Sequence, residues 1–178
     1  MKHARKKWGI ITILSAVGVG TILHTHEIQA QEAQIFRSTV QSLKASTSIP
    51  LRLPSQLPAS VTNQHIYLRS HADVNGYDVS LESHPQCKGA NACYIGSIHA
   101  SRGEKPYIDE RTEKVQLTNG IAGFYHPLLC GGSCTPSTIE WSEKGVLYSI
   151  QMRVTRDKTV AKREMIQLAK LSIPKANH

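Results

Sequence analysis

The first informative pattern of apolar and polar positions lies at the N-terminus. Trp8 to Leu23 (WGIITILSAVGVGTIL) is sixteen residues without a charge, preceded by Lys2, Arg5, Lys6 and Lys7 and followed by the polar run His24, Thr25, His26 and Glu27. The basic start, an apolar stretch shorter than the roughly 20 residues of a relaxed transmembrane helix, and Ile28-Gln29-Ala30 with its small last residue predict a cleavable signal peptide, cut between Ala30 and Gln31. The alternative is an uncleaved anchor, and in either case the remainder lies outside the cytoplasm, periplasmic or secreted. No cysteine stands near the junction, which closes the lipoprotein route. Residues 1–30 are set apart on this reading, and residues 31–178 form one exported domain.

Within that domain the period changes twice. Ala33, Phe36, Val40 and Leu43 recur at threes and fours, which predicts an amphipathic helix over 31–46 that docks on the domain's own core. Ile49-Pro50-Leu51-Arg52-Leu53-Pro54 alternates apolar and polar between prolines, the pattern of an edge strand, and Ser55 to Ser60 reads as a loop. From His65 the period is two. Ile66 and Leu68, then Tyr77, Val79 and Leu81, flank a turn at Asp73-Val74-Asn75-Gly76, where Asn-Gly tolerates positive φ and closes a hairpin. A strand over 92–100 sets Cys93, Ile95, Ser97 and His99 on one face and Tyr94, Gly96 and Ile98 on the other. A turn-rich stretch, 101–111, precedes a second hairpin, from Val115 and Leu117 through Asn119-Gly120 to Ile121–Tyr125. After a loop from His126 to Ser137, a third joins Thr138–Ser142 to Gly145–Val154 across Glu143-Lys144, with Trp141, Leu147 and Ile150 as core. The helical period then returns with Ala161, Met165, Leu168 and Ala169 on one face, Asp157 or Thr159 as cap, and Pro174 as the stop. The order predicts an α+β fold: a mainly antiparallel twisted sheet of six or seven strands with an N-terminal and a C-terminal helix.

Charge and cysteines alter the picture modestly. Residues 1–30 hold four of the 21 Lys and Arg and one of the 13 acids, so the exported part carries 17 against 12, a net +5. This favours an anionic envelope component, a lipid, a glycan or another envelope protein as partner; nucleic acid is disfavoured because no basic stripe is interleaved with stacking aromatics. Cys87, Cys93, Cys130 and Cys134 are the only cysteines. In an oxidising compartment an even number reads as disulfides, whereas C-x5-C and C-x3-C depart from zinc-knuckle spacing and Cys130-Gly-Gly-Ser-Cys134 is one residue too long for a redox C-x-x-C. Local bridges, Cys87 with Cys93 and Cys130 with Cys134, are expected because the spans are short and glycine-containing. Loop entropy alone favours a crossed pairing, at about 4 kcal/mol for a Cys87–Cys134 bridge against about 2 kcal/mol for each local one.

Searches for catalytic patterns return little. There is no G-x-S-x-G elbow, H-E-x-x-H helix or glycine-rich phosphate loop. Ser97 and His99 share a strand face without forming a nucleophile and base by sequence alone. Asp109 and Glu110 adjoin Arg111 in a loop, and Glu140 beside Trp141 is expected to meet solvent. His65, His71, His84, His99, His126 and His178 include no pair at ligand spacing on a helix, so no metal and no cofactor is expected. Tyr77, Tyr94, Tyr125, Trp141 and Tyr148 alternate as sheet core does. A surface groove lined by two or more of these aromatics would favour binding; a buried carboxylate or histidine in a cleft would favour catalysis.

The run Val115-Gln-Leu-Thr-Asn-Gly-Ile121, Cys130-Gly-Gly-Ser-Cys134, Ile139-Glu-Trp141, Gly145-Val-Leu-Tyr148 and the helix from Met165 to Ile173 resembles uncharacterised exported cyanobacterial proteins. More distantly it is similar to bacterial domains attached to anti-sigma-like membrane proteins, from which the cysteine pairs depart. The resemblance spans residues 113–173 and implies a non-catalytic envelope domain; it transfers no site residue. The expected function is an exported, non-enzymatic binding or interaction domain, with a secreted hydrolase as the alternative. Intact-mass measurement of the exported protein is expected to give a chain beginning at Gln31; residues 1–30 still attached in membrane fractions would overturn the processing.

Overall fold

Strand alternation sorts the side chains before any layer packs. In the computed structural model, which describes residues 34–88 and 90–175, the strands β1 (Tyr67–Asp73), β2 (Gly76–Glu82), β3 (Tyr94–Arg102), β4 (Glu113–Gln116), β5 (Ala122–His126), β8 (Ser137–Glu143) and β9 (Val146–Met152) form one antiparallel sheet in the order β1-β2-β3-β9-β8-β5-β4. A separate hairpin, β6 (Leu129–Cys130) with β7 (Cys134–Thr135), occupies what reads as a loop in the sequence. The helices are α1 (Arg37–Ser46), entered through a 3-10 turn at Gln34–Phe36, the single turn α2 (Ala59–Thr62), and α3 (Lys158–Ser172). The fold is α+β, with the helices on one face of the sheet.

Register turns alternation into layers, because directly paired residues point to the same side. On the helix side one row runs Ala72, Tyr77, Ala100, Tyr148, Trp141, Gly123, Val115, and the next runs Val79, Ile98, Ile150, Ile139, Tyr125. Large residues meet small ones in the first row, where Trp141 stacks on Tyr148 with ring centroids 5.5 Å apart. Gly123 matters there, since a Cβ on it would lie 2.9 Å from the Leu117 side chain. The second row is almost all β-branched and fully buried, the composition that packs best on a pleated surface. Helix α3 covers this face with Ala161, Met165, Leu168 and Ala169, all buried, and the Asp157 carboxylate caps it by accepting from the Val160 amide at 2.9 Å. Val40 and Leu43 bury the matching face of α1, and Phe36 of the preceding 3-10 turn is buried with them.

Residues 49–54 are not a strand. They form an extended strap whose backbone is satisfied by side chains of the sheet instead of by a neighbouring strand. The Arg52 amide donates to the Tyr77 hydroxyl at 2.8 Å, and the Tyr148 hydroxyl donates to the Pro50 carbonyl at 3.1 Å. The Arg52 guanidinium forks onto both oxygens of Glu143 at 2.9 and 2.6 Å. Farther along, the Ser55 amide donates to the Leu171 carbonyl of α3 at 3.3 Å. Pro50 and Pro54 lack the donors that a strand ladder needs, which alternation alone does not reveal. Ile49, Leu53 and Leu57 are nonetheless buried, so the strap completes the core. Burial pushes the Tyr148 phenol up to about 12, so it remains a donor throughout the physiological range.

The turns also refine the sequence reading. Asn119-Gly120 takes positive φ at both residues (57° and 74°), and so does Lys144-Gly145 (51° and 78°). The first hairpin closes at Val74-Asn75 without any, because the Asp73 carboxylate accepts from the amides of Asn75 and Gly76 at 2.8 and 3.0 Å. The third strand begins at Tyr94, not Ala92, and Ile95 is buried beside the register shift at Leu81/Glu82, so it does not share the open face with Ser97 and His99.

Tyr148→Phe is expected to lower stability by about 1 kcal/mol in urea denaturation, since the Pro50 carbonyl loses its donor while the ring packing stays; Tyr67→Phe, at a half-exposed position in β1, is the control and leaves the midpoint unchanged.

Candidate functional site

The face of the sheet opposite the helices is mostly polar, interrupted by Phe124 and Leu147. One row runs His71, Asp78, His99, Ser149, Glu140, Phe124, Lys114, and a second runs Arg69, Ser80, Ser97, Gln151, Thr138, His126. Two pieces of chain rise over one end of it. The connection 103–112 leaves β3 in the middle of the sheet and reaches β4 at the edge, crossing the open face on the way, while the β6–β7 hairpin stands beside the ends of β5 and β8. Between them lies a groove of about 600 Å³, walled by Tyr107, Asp109 and Arg111 on one side and Leu128, Leu129 and Thr135 on the other. Glu140, Ser149 and Gln151 form its floor, and Lys158 stands at its margin.

A short chain of polar contacts fastens the connection to the sheet. The Tyr107 amide donates to Glu140 Oε2 at 2.8 Å. That same oxygen lies 3.7 Å from His126 Nε2, and His126 Nδ1 lies 3.4 Å from the Thr112 hydroxyl. Thr112 Oγ1 donates to Asp109 Oδ1 at 2.9 Å and accepts from the Asp109 amide at 2.8 Å. The Tyr107 ring lies over His126 with centroids 5.9 Å apart and planes inclined by 32°. Glu140 and His126 are therefore far from solvated, at 14% and 17% side-chain exposure, and Nε2 of His126 is buried without a hydrogen bond. The expectation that Glu140 meets solvent is corrected by the overlying connection, which is not legible from the strand itself. The Thr112 hydroxyl, aided by the Arg111 amide and guanidinium, holds the Asp109 carboxyl below its ordinary value of 3.8 against the opposing effect of desolvation.

The groups singled out by sequence are distributed differently. Cys87 bridges Cys93 and Cys130 bridges Cys134, across 5.7 and 4.0 Å between Cα atoms. The first bridge closes the loop between β2 and β3; the second closes the β6–β7 hairpin, placing Cys134 beside the groove. Tyr77, Tyr125, Trp141 and Tyr148 are buried in the core, and the Tyr94 hydroxyl donates to Gln151 Oε1 and shares a hydrogen bond with the Ser97 hydroxyl, both at 2.9 Å. His99 faces Asp78 at 3.9 Å, and the Ser97 hydroxyl is hydrogen-bonded to that of Tyr94. Among the described residues no three His, Cys, Asp or Glu gather in a way that would hold a metal ion, and no helix is long and apolar enough to cross a membrane. Ala30, Gln31 and His178 lie outside the described residues.

Sequence reasoning missed Tyr107 and the pairing of His126 with Glu140. The signal was present in part: Tyr125 and Trp141 face the core, so His126 and Glu140 face the other side, and pairing β5 with β8 makes them diagonal neighbours. Compared with protein families, with curated proteins and with solved structures, the chain matches none.

Because the folded pKa of Asp109 is depressed, its contribution to the 109–112 turn is present above the unfolded value and is lost as pH falls through the lower, folded one. NMR titration is expected to show the Arg111 amide shifting together with the Asp109 carboxyl below pH 3.8; in Asp109→Asn that shift disappears.

Proposed function

We propose that the chain is the precursor of an exported, non-enzymatic binding domain of the cell envelope or its surroundings, and that the groove over the polar sheet face is its ligand site. Two disulfides and the basic, then apolar, N-terminal sequence ending at Ala30 support export. The observation that carries the binding reading is the placing of exposed apolar side chains. Tyr107 and Leu129 line the groove and Ile108 adjoins Tyr107, at 66%, 46% and 64% exposure. Apolar area left in water in the free protein and grouped around a polar floor is the usual mark of a surface that a ligand covers.

The groove's titratable groups serve its own walls. Glu140 holds the Tyr107 amide, Asp109 holds Thr112 and Arg111, and His126 is packed beneath the Tyr107 ring. Thr112, the hydroxyl nearest the imidazole, gives its proton to Asp109 and is not a free nucleophile. A secreted hydrolase stays as the second reading, favoured by the close approach of His126 to Glu140 in a cleft, while none of the five aromatics singled out by sequence lines the groove.

The test is to purify the exported protein from its native envelope, as wild type and as Leu129→Asp, and to identify what accompanies each. A molecule retained by the wild type and lost from the variant is the expected result. Turnover of chromogenic ester or glycoside substrates that is abolished by Glu140→Gln would replace binding with catalysis.

A further inference from the structure

We propose that the groove takes a neutral glycan, with one pyranose ring stacked on the exposed face of Tyr107 and its hydroxyls held by Glu140, Ser149 and Gln151; this rests on the reading of the groove as a ligand site. Charge narrows the choice first. Asp109 and Glu140 offset Arg111 and Lys158, so the lining carries no net sign with which to select a phosphate, a sulfate or a cationic group. The form of the apolar surface narrows it further. An acyl chain needs an enclosed apolar channel, whereas here the groove is open, its floor is polar, and the apolar area lies on the walls, in the Tyr107 ring on one side and Pro127, Leu128, Leu129 and Pro136 on the other.

Peptides are disfavoured by the backbone. Strand addition needs an unpaired edge of some length; the floor strands are interior, with β8 paired to β5 and β9, and β9 paired to β8 and β3, and the strands of the β6–β7 wall hairpin are only two residues long. What the groove does offer is a planar ring beside groups that donate and accept at close quarters. A pyranose has a C–H face that packs on an aromatic ring and hydroxyls that each donate and accept. Glu140 Oε2 is occupied by the Tyr107 amide, and Oε1 is left as an acceptor. Gln151 donates one amide hydrogen to Thr138 at 3.2 Å and retains the other, and the Ser149 hydroxyl lies directly across from Glu140 on the neighbouring strand. Tyr107 is also steadied in advance, since His126 backs its ring and Glu140 holds its amide, which lowers the entropy lost on binding.

The test is to probe the purified exported protein with an array of neutral malto-, cello-, chito- and galacto-oligosaccharides, then to titrate a bound oligosaccharide calorimetrically into wild type, Tyr107→Ala and Tyr107→Phe. At least one neutral series is expected to bind, about tenfold or more weaker in the alanine variant and within about threefold of wild type in the phenylalanine variant. Tyr107 is mostly exposed, so both variants should melt with the wild type. Affinity unaltered by Tyr107→Ala, or binding confined to phosphorylated or sulfated glycans, lipid vesicles or peptides, overturns the proposal. If no neutral glycan binds while a Leu129-dependent ligand still co-purifies, the glycan assignment fails and the binding domain stands; if no such ligand is found either, both fail.

Discussion

The register of β9 is the constraint on which the rest of the molecule depends. This strand joins the β1-β2-β3 meander to the β8-β5-β4 half, and it sets Tyr148, Ile150 and Met152 on the helix side and Ser149 and Gln151 on the other. A slip of one residue would exchange the two sets. Glycine fixes it at one end: a Cβ on Gly96 would lie 2.5 Å from the Gln151 carbonyl, so β3 and β9 approach there as closely as they do because the position is bare. At the other end, Lys144 and Gly145 both take the left-handed conformation that matches the twist of the strands they join. With those limits in place, one sheet supplies both a core and a hydrophilic floor.

The two faces then answer to different rules. On the helix side the buried tyrosines find polar partners within the protein, Tyr77 and Tyr148 in the strap and Tyr125 with Ser137 at 3.3 Å, whereas the Trp141 indole N–H is buried without one. On the open side the polar row is left to water except where the 103–112 connection covers it. That crossing exists because the chain must travel from the middle of the sheet to its edge, and the helix side is already occupied by α1, the strap and α3. The groove is thus a by-product of topology that the side chains of Tyr107, Glu140 and His126 have shaped into a definite recess.

Alternation and turn chemistry made most of the sheet legible in the sequence. The strands around Val79, Ile98, Tyr125, Trp141 and Ile150 read correctly because each has one buried face, and the terminal helix read correctly because Ala161, Met165, Leu168 and Ala169 share one stripe. Ile49–Pro54 misled because an extended segment held by side chains carries the same alternation as one held by a ladder, and only the partners Tyr77 and Tyr148 distinguish them. The groove was hidden for a related reason. Tyr107 stands in a charged, turn-rich stretch with no period, and its contact with Glu140 spans 33 residues. Long-range placing of an irregular segment leaves no local trace.

The strap has a further consequence for the order of events as the chain is made. Its anchors lie far downstream, 25 residues on at Tyr77, 91 at Glu143 and 98 at Tyr148, with Leu171 of the last helix beyond them. A chain emerging N-terminus first, from a ribosome or across a membrane, therefore presents Ile49, Leu53 and Leu57 long before anything exists to cover them. These contacts of high sequence separation repay the loop closure they require only after the whole chain has arrived. Pro50, Pro54 and Pro58 bear on that interval: without amide hydrogens at those positions, the waiting segment is a poor template for pairing with another copy of itself.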